Sequence, residues 1–392
     1  MTGPDRRLAA LRGQMREWAA DLRPLALEID RDPEAVRRHL DLPALRHLAT
    51  MGIPAEYGHE PERIDGHRFH GVSARERVVV MEELARADAG TLVAAPGPLL
   101  AGVAVGLVAD QRQKEWFYGR MLSEPLWTCF ALTEPDRGSD AGALTTTLTP
   151  TPRGALLNGE KRYVGNASRA RIGVVFARGR RGPLGITAVL VDTDTPGFRA
   201  EPLDMIGLRG ARIGSIVLDD VEIPEEHFLG RHLPATRRGV WAFVQTFNLL
   251  RPGVAAIAVG IARAAHDYVT AHRRVLRAAD RDRLDTLDRR IDATSRLVWQ
   301  AAAAVDARGT DGHLASAAKL RAARLAEDMT LAAGELLGPG ARLTHPLLDK
   351  LTRDARAMEF LEGTENMQKL NLFQGLLGGK VERDARRHVG TQ

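Results

Sequence analysis

The spacing of apolar residues divides the chain into three regions. Up to about residue 126, apolar positions recur at helical spacing, as in LAALRGQMREWAADLRPLA and ARERVVVMEELARA, and this pattern predicts α-helices. Short β-branched runs punctuated by Gly, Pro, Asn and Asp follow, which is typical of antiparallel strands. Beyond about residue 236 the runs are long and rich in Ala, Leu and Arg, and they predict a helical bundle. The pattern therefore predicts domains at residues 1–126, 127–236 and 237–392.

The same pattern places individual elements. Strands are expected in the runs at residues 154–165, 171–179, 184–197 and 212–224. Helices are expected near residues 238–275, 281–307, 313–337 and 347–378. The uncharged stretch at 91–109 is nearly long enough to span a membrane, but Pro96 and Pro98 leave a helix of about a dozen residues. We interpret this stretch as a buried core helix and expect no membrane span.

Composition is that of a globular protein with two or three domains. Hydrophobic residues make up 44% of the 392 positions and charged residues 27%, which excludes a disordered chain. The single Cys129 excludes an internal disulfide and a cysteine-rich metal site, so we predict no metal and a cytoplasmic location. The N-terminus, MTGPDRRLAALRGQ, has no apolar core and is not a secretory signal.

The charge pattern narrows the class of partner. The formal net charge is +5, and the arginines are scattered among nearly as many acids, with no long basic block. This argues against nucleic-acid binding. It is compatible with anionic ligands such as phosphates, or with an acidic carrier protein.

The segment EFLEGTENMQ, residues 359–368, places an acid directly before a Gly-Thr pair in a helix-forming run. Glu359, Glu362 and Glu365 repeat every three residues, so the ten residues alone favour a solvated helix face. Gly363 weakens the helix, and Thr364 can begin a new one by capping its free amides. A carboxylate held at such a break can instead point into a cavity.

A second segment, FALTEPDRGSDAGAL at residues 130–144, is predicted to be a turn-rich loop. Glu134-Pro135 disfavours helix, and Gly138-Ser139-Asp140 can expose backbone amides and a hydroxyl to a polar ligand. Turns of this composition are also common in proteins that bind nothing.

Together these segments resemble the acyl-CoA dehydrogenase family over about 370 residues. LTEPDRGSDAGAL matches the first signature of the family. RDARAMEFLEGT matches the second, in which the Glu before Gly-Thr is the catalytic base. Further matching segments occur in the family's order: LNGEKRYVGNASRARIGVVFAR, DTDTPGF, LRGARIGSIVLDDVEIPEEHFLG and LLRPGVAA.

The resemblance implies a mainly α fold with an N-terminal helical domain, a central antiparallel β-domain and a C-terminal four-helix domain. It also implies FAD-dependent α,β-dehydrogenation of an acyl thioester, in which a base takes the α-proton and the β-hydride passes to flavin N5. Glu362 matches the base. Some members carry the base immediately before the arginine of LLRPGVAA, but Leu250 occupies that position here and cannot act as one.

The resemblance also implies ligand-binding residues. The residues that match cofactor-binding positions are Phe130, Leu132, Thr133, Ser139, Tyr163, Gly165, Arg273, Thr364 and Asn366. Those that match substrate-binding positions are Ser139, Asn248 and Arg251. In so arginine-rich a chain, the alternative for Arg251 and Arg273 is a solvated helix arginine.

Three departures from the family pattern keep alternatives open. The usual Trp-x-Thr triplet is Tyr163-Val164-Gly165, the Arg-x-x-Phe-Gly motif is changed after Arg273, and Glu335 replaces a Gln. The resemblance implies that the substrate is an acyl-CoA or an acyl-carrier-protein thioester, that the acceptor is electron-transfer flavoprotein or oxygen, and that the assembly is a homodimer or homotetramer. The alternatives are a flavin oxidase or monooxygenase on the same fold, and a flavin-free binding protein.

Overall fold

The computed structural model describes residues 5–273, 275–308 and 312–379. Two compact units are present. We call the first the bundle unit; it lies within Met1–Leu27, Ala74–Ala89 and Asn248–Gln392. We call the second the sheet unit; it comprises Glu28–Ser73 and Gly90–Phe247. The predicted boundaries near residues 126 and 236 stay a prediction.

The elements are as follows. The α-helices are α1 (Arg6–Leu22), α2 (Ala26–Arg31), α3 (Pro43–Thr50), α4 (Ala74–Ala94), α5 (Leu99–Val108), α6 (Gln111–Ser123), α7 (Gly239–His272), α8 (Ala278–Arg308), α9 (Gly312–Leu337), α10 (Ala341–Thr344), α11 (Pro346–Ala357) and α12 (Glu365–Leu377). The strands are β1 (Glu62–Ile64), β2 (His67–Phe69), β3 (Thr128–Ala131), β4 (Thr147–Thr151), β5 (Gly154–Val164), β6 (Ile172–Arg178), β7 (Ile186–Asp192), β8 (Phe198–Pro202) and β9 (Gly214–Pro224).

The N-terminal region is mainly helical, as predicted, but it contains a β-hairpin that the helical interpretation missed. Strands β1 and β2 pair antiparallel, with Ile64 opposite His67. Asp65 and Gly66 form the turn with φ of 48° and 77°. Asp-Gly is favoured in two-residue hairpin turns because both central residues need positive φ. The local signal was therefore present in the sequence.

Two apolar helices, α5 and α7, are relevant to whether the chain contains a membrane-spanning segment. The uncharged stretch at 91–109 contains the end of α4 and all of α5, and α5 begins directly after Pro98 and buries Ala101, Ala104 and Val105. The prediction of a buried core helix is confirmed. Helix α7 is long and apolar enough to cross a membrane by length and composition, but 67% of its apolar window is buried, as in the core helix of a soluble protein.

The sheet unit contains a seven-stranded sheet in the order β3-β6-β4-β5-β9-β8, with β7 also paired to β6. The four predicted strands form β5, β6, β7 and β9, and their pairings β5–β9 and β6–β7 are antiparallel as expected. Strand β3 differs, because it runs parallel to β6. Strands joined by a tight turn run antiparallel. Strands β3 and β6 are instead separated along the chain by β4 and β5, so β3 and β6 can pair in parallel.

The bundle unit is organised around α9, which packs against α8, α11 and α12. Ala315, Ala318, Ala322, Leu325 and Met329 recur at helical spacing and are buried along one face of α9. The fourth long helix predicted for this region is two helices, α11 and α12. The break between them contains Glu362.

Candidate active site

Glu362 lies in the turn that joins α11 to α12. Its φ is 51° and that of Gly363 is 101°, so two successive residues adopt left-handed backbone conformations and end the helical path. Gly363 does so without steric cost, whereas a residue with a side chain must be held there by its surroundings. Thr364 is the N-cap of α12, as predicted, but its side chain makes no capping hydrogen bond.

Three buried side chains hold the carbonyl groups of this turn. Lys319 Nζ donates to Glu359 O at 2.6 Å and to Gly363 O at 2.7 Å. Gln368 Nε2 donates to Glu362 O at 3.1 Å and to Gly363 O at 2.9 Å. Arg251 Nε approaches Glu362 O at 3.4 Å. These three carbonyl groups thus accept hydrogen bonds from side chains of α7, α9 and α12, without use of the Glu362 carboxyl group.

The Glu362 carboxyl group is buried and only partly compensated. Its Oε2 atom is buried and has no hydrogen-bond partner. Burial raises the pKa of Glu362 to about 8, against the opposing charges of Arg251, Lys319 and Arg77. A carboxyl group with this pKa binds a proton more tightly than an exposed one, so it is suited to abstract a proton from a weak carbon acid.

The neighbouring acids differ from Glu362. Glu359 pairs with Arg356 at 2.7 Å. Glu365 accepts from Arg324, and its pKa is lowered to about 2 by that bond first and by Lys369 second. The solvated-face interpretation therefore suits these two acids and not Glu362.

Of the three residues predicted to bind substrate, Arg251 contacts the Glu362 turn and Asn248 contacts Arg251. Arg251 and Asn248 are both buried, and Arg251 Nη1 donates to Asn248 Oδ1 at 2.9 Å. Burial lowers the pKa of Arg251, and the charge of Glu362 opposes that shift. The solvated-arginine interpretation is therefore wrong for Arg251. Arg273 is partly exposed, and its guanidinium lies 3.7 Å from Asp280.

Two apolar residues that precede Glu362 have different surroundings. Met358 is buried. The Phe360 side chain is exposed, and its ring centroid lies 5.7 Å from the Arg356 guanidinium.

Sequence reasoning missed three residues of this site, namely Lys319, Arg77 and Gln368. Lys319 was the most visible of them, because it interrupts the apolar residues on the buried face of α9. Arg77 Nη2 donates to Leu249 O at 3.2 Å, a contact between distant segments that no local pattern reveals.

In the sheet unit, Glu134 anchors the predicted ligand-binding loop. Its carboxylate accepts from the amides and hydroxyls of Thr145 and Thr146, at 2.6 to 2.8 Å. Lys161 Nζ, from β5, lies 3.0 Å from Glu134 Oε1 and also donates to Leu132 O at 3.1 Å. Burial raises the pKa of Glu134, but these hydrogen bonds and the Lys161 charge outweigh it and lower the pKa to about 2.

The residues predicted to contact a cofactor in this unit fall into two groups. Phe130 packs on Phe176 and Phe247, with ring centroids 5.0 and 5.6 Å apart, and Leu132 is buried in the same core. Ser139 and Tyr163 are exposed, and Thr133 is partly exposed. The side chains of the first group therefore support the loop from behind, and only the second group presents side chains outward.

The chain shows sequence similarity to known proteins along its length. Residues 6–125, 129–221 and 237–377 match the acyl-CoA dehydrogenase N-terminal, middle and C-terminal domains. The chain is 31% identical over 342 residues to an acyl-CoA dehydrogenase of Bacillus subtilis, with 84% of this chain and 87% of that protein covered. The chain belongs to the acyl-CoA dehydrogenase family. It is also 29% identical over 371 residues to the 3-(aryl)acrylate reductase of Clostridium sporogenes, with 91% and 94% covered.

Solved acyl-CoA dehydrogenases share the fold. Butyryl-CoA dehydrogenase from Megasphaera elsdenii matches with a TM-score of 0.80 at 27% identity, covering 94% of this chain and 98% of that chain. A glutaryl-CoA dehydrogenase from Mycobacterium smegmatis, solved in complex with FADH2, matches with a TM-score of 0.80 at 23% identity, covering 96% and 95%. The fold prediction is confirmed, and the family's cofactor is FAD.

The described residues of this acyl-CoA dehydrogenase family member fit a flavin. Tyr163 adopts a φ of 59° and is 58% exposed, so its ring is available for stacking. A side chain at Gly165 would project into open space, at the position where the family pattern has a Thr. Asn366 is exposed at the start of α12. Among the described residues, no three His, Cys, Asp or Glu side chains are grouped to hold a metal ion.

Proposed function

We propose that the protein is an FAD-dependent dehydrogenase of acyl thioesters that forms an α,β-unsaturated product, with Glu362 as the catalytic base. The observation that carries this proposal is the buried Oε2 of Glu362, which lacks a hydrogen-bond partner at a helix break. A structural carboxylate at this depth would be paired, because an uncompensated buried charge is strongly destabilising.

The chemistry of the chain's own residues follows from this geometry. An α-proton next to a thioester is weakly acidic, so the base must bind protons tightly. Glu362 accepts this proton at its carboxylate, and Arg251, Lys319 and Arg77 supply positive charge that makes deprotonation of the resting carboxyl group possible. FAD, when bound, accepts the hydride from the β-carbon. The residues that would hold it are Thr133, Ser139, Tyr163, Gly165, Arg273, Thr364 and Asn366, with Phe130 and Leu132 behind the loop.

The substrate side is proposed to include Asn248, Arg251 and Ser139. The buried guanidinium of Arg251 is already oriented by Asn248 at 2.9 Å, so a polar group of the substrate meets a preorganised donor. The proposed substrate is an acyl-CoA or an acyl-carrier-protein thioester, since both present the same thioester to the base. The proposed acceptor of electrons is electron-transfer flavoprotein or oxygen, and the proposed location is the cytoplasm.

We also propose that the protein is a homodimer or homotetramer. Leu370, Phe373 and Leu377 recur at helical spacing on α12, and each is at least 46% exposed. Exposed apolar stripes of this kind are typical of protein–protein interfaces.

The test uses the FAD-loaded protein and a panel of acyl-CoA and acyl-carrier thioesters, with bleaching of the flavin spectrum followed in the absence of oxygen. We expect wild-type protein to be bleached by at least one thioester. We expect Glu362→Gln to bind FAD and thioester but to reduce its flavin about 100- to 10,000-fold more slowly, which is the usual contribution of a general base.

Glu359→Gln is the matched control, because it removes a carboxylate from the same turn that is paired at the surface with Arg356 at 2.7 Å. It is expected to reduce flavin at near the normal rate. A protein that stays colourless at high FAD concentration would support the flavin-free alternative, and a Glu362→Gln variant with normal rates would rule out the proposed base. Rapid reoxidation of the reduced flavin by oxygen would identify an oxidase.

A further inference from the structure

Lys319 is unusual among the buried lysines of this protein. Lys161, Lys319 and Lys350 are each no more than 1% exposed. Lys161 pairs with Glu134, and Lys350 pairs with Asp88 and Asp354. The ammonium of Lys319 makes no ion pair with a carboxylate in the part of the chain that the structure describes; its recorded partners are two backbone carbonyls.

A buried ammonium without a carboxylate partner is costly. Removing such an ion from water is strongly unfavourable even after the protein relaxes. Burial accordingly lowers the pKa of Lys319 to about 8, and the negative charge of Glu362 is the largest influence that opposes this shift. The hydrogen bonds that offset this cost are to the turn that contains Glu362.

The two carbonyls flank Glu362. Glu359 O precedes it by three residues and Gly363 O follows directly, and one ammonium binds both at 2.6 and 2.7 Å. This contact closes the turn around the residue with φ of 51°. Left-handed backbone is sterically unfavourable for a non-glycine residue, so the turn needs such an external restraint.

We propose that Lys319 is the positioning residue for Glu362. Its ammonium fixes the turn that directs the carboxyl group inward, and its positive charge favours the carboxylate form that a base needs. The catalytic consequence rests on the proposed function, whereas the effect on Glu362 protonation does not. The other charged groups that act on Glu362 are Arg251 on α7 and Arg77 on α4.

The test compares three variants in the FAD-loaded protein. Lys319→Met removes the charge and both hydrogen bonds, and Lys319→Gln removes the charge but keeps an NH₂ donor. Gln368→Met is the matched control, because it removes two neutral donors to Glu362 O and Gly363 O and no charge. The protonation of Glu362 is read from the carboxylic C=O band in infrared difference spectra. Each difference spectrum compares a variant with the same variant that also carries Glu362→Gln.

Both Lys319 variants are expected to move the protonation midpoint of Glu362 to higher pH, whereas Gln368→Met leaves it in place. At neutral pH, flavin reduction is expected to slow about tenfold for each unit of that shift, because the deprotonated fraction falls by this factor. At high pH, flavin reduction is expected to be slower in Lys319→Met than in Lys319→Gln, because the Gln side chain still donates to the turn and keeps part of the positioning of Glu362.

If the role of Lys319 were purely structural, its replacement would lower the unfolding temperature and leave the protonation midpoint of Glu362 unchanged. An unmoved midpoint in folded Lys319→Met, or in Lys319→Gln if the former does not fold, would overturn the proposal. If no thioester bleaches the wild-type flavin, the proposed function fails, but the infrared midpoint still tests Lys319 on its own.

Discussion

Replacing Glu362 with Gln is expected to change how the stability of the protein depends on pH. The pKa of this carboxyl group is 4.5 in the unfolded chain and about 8 in the folded protein, because burial disfavours the charged form. Below the lower value the group is protonated in both states. Between the two values the unfolded chain loses its proton and the folded protein keeps it, so the free energy of unfolding falls as pH rises. Above the folded pKa the loss is complete.

The variant lacks this dependence, so its stability relative to wild type should grow with pH. The expected slope is about 1.4 kcal/mol per pH unit, or about 4 kcal/mol between about pH 5 and about pH 8. Gln leaves a buried amide whose hydrogen bonds are incomplete, which costs about 1–3 kcal/mol. That cost is independent of pH and does not alter the slope.

The assay is thermal or urea unfolding of the FAD-loaded wild type and variant at several pH values across this range. Glu359→Gln is again the control, since its surface pair with Arg356 is worth about 1 kcal/mol or less and should produce no comparable slope. A Glu362→Gln variant whose stability differs from wild type by a constant amount would show that the folded pKa is ordinary. It would refute the argument that burial of Oε2 prepares the base.

Two further predictions concern the loop and the assembly. Glu134→Ala leaves Lys161 buried without its carboxylate partner, so unfolding measurements should show a loss of stability of about 3–5 kcal/mol. Flavin titration should also show weaker FAD binding, and an unchanged FAD affinity would show that the loop is not part of the flavin site. Phe373→Asp places a charge on the exposed apolar stripe of α12, so light scattering should report a smaller species than wild type. An unchanged mass would show that this stripe is not part of the interface between subunits.

Much of the fold is determined locally and was accessible from sequence. Helical spacing located the long helices, and Pro98 marked the start of α5. Gly363 marked the break before α12 because glycine tolerates the φ of 101° found there. The Asp65-Gly66 turn carried an equally local signal that a helical interpretation of the whole region overlooked. Backbone preferences of this kind depend on a residue and its immediate neighbours.

Tertiary structure alone decided which polar groups are buried and what they contact. Glu359, Glu362 and Glu365 are equivalent in a local pattern, yet only Glu362 has a carboxyl oxygen that is buried without a partner. Lys319 binds carbonyls that are 40 and 44 residues away along the chain, and Lys161 meets Glu134 across 27. The energy of a charge depends on the water and the charges within a few ångströms, and packing of distant segments sets both. The sequence therefore located the candidate base, and the packed bundle determined its proton affinity.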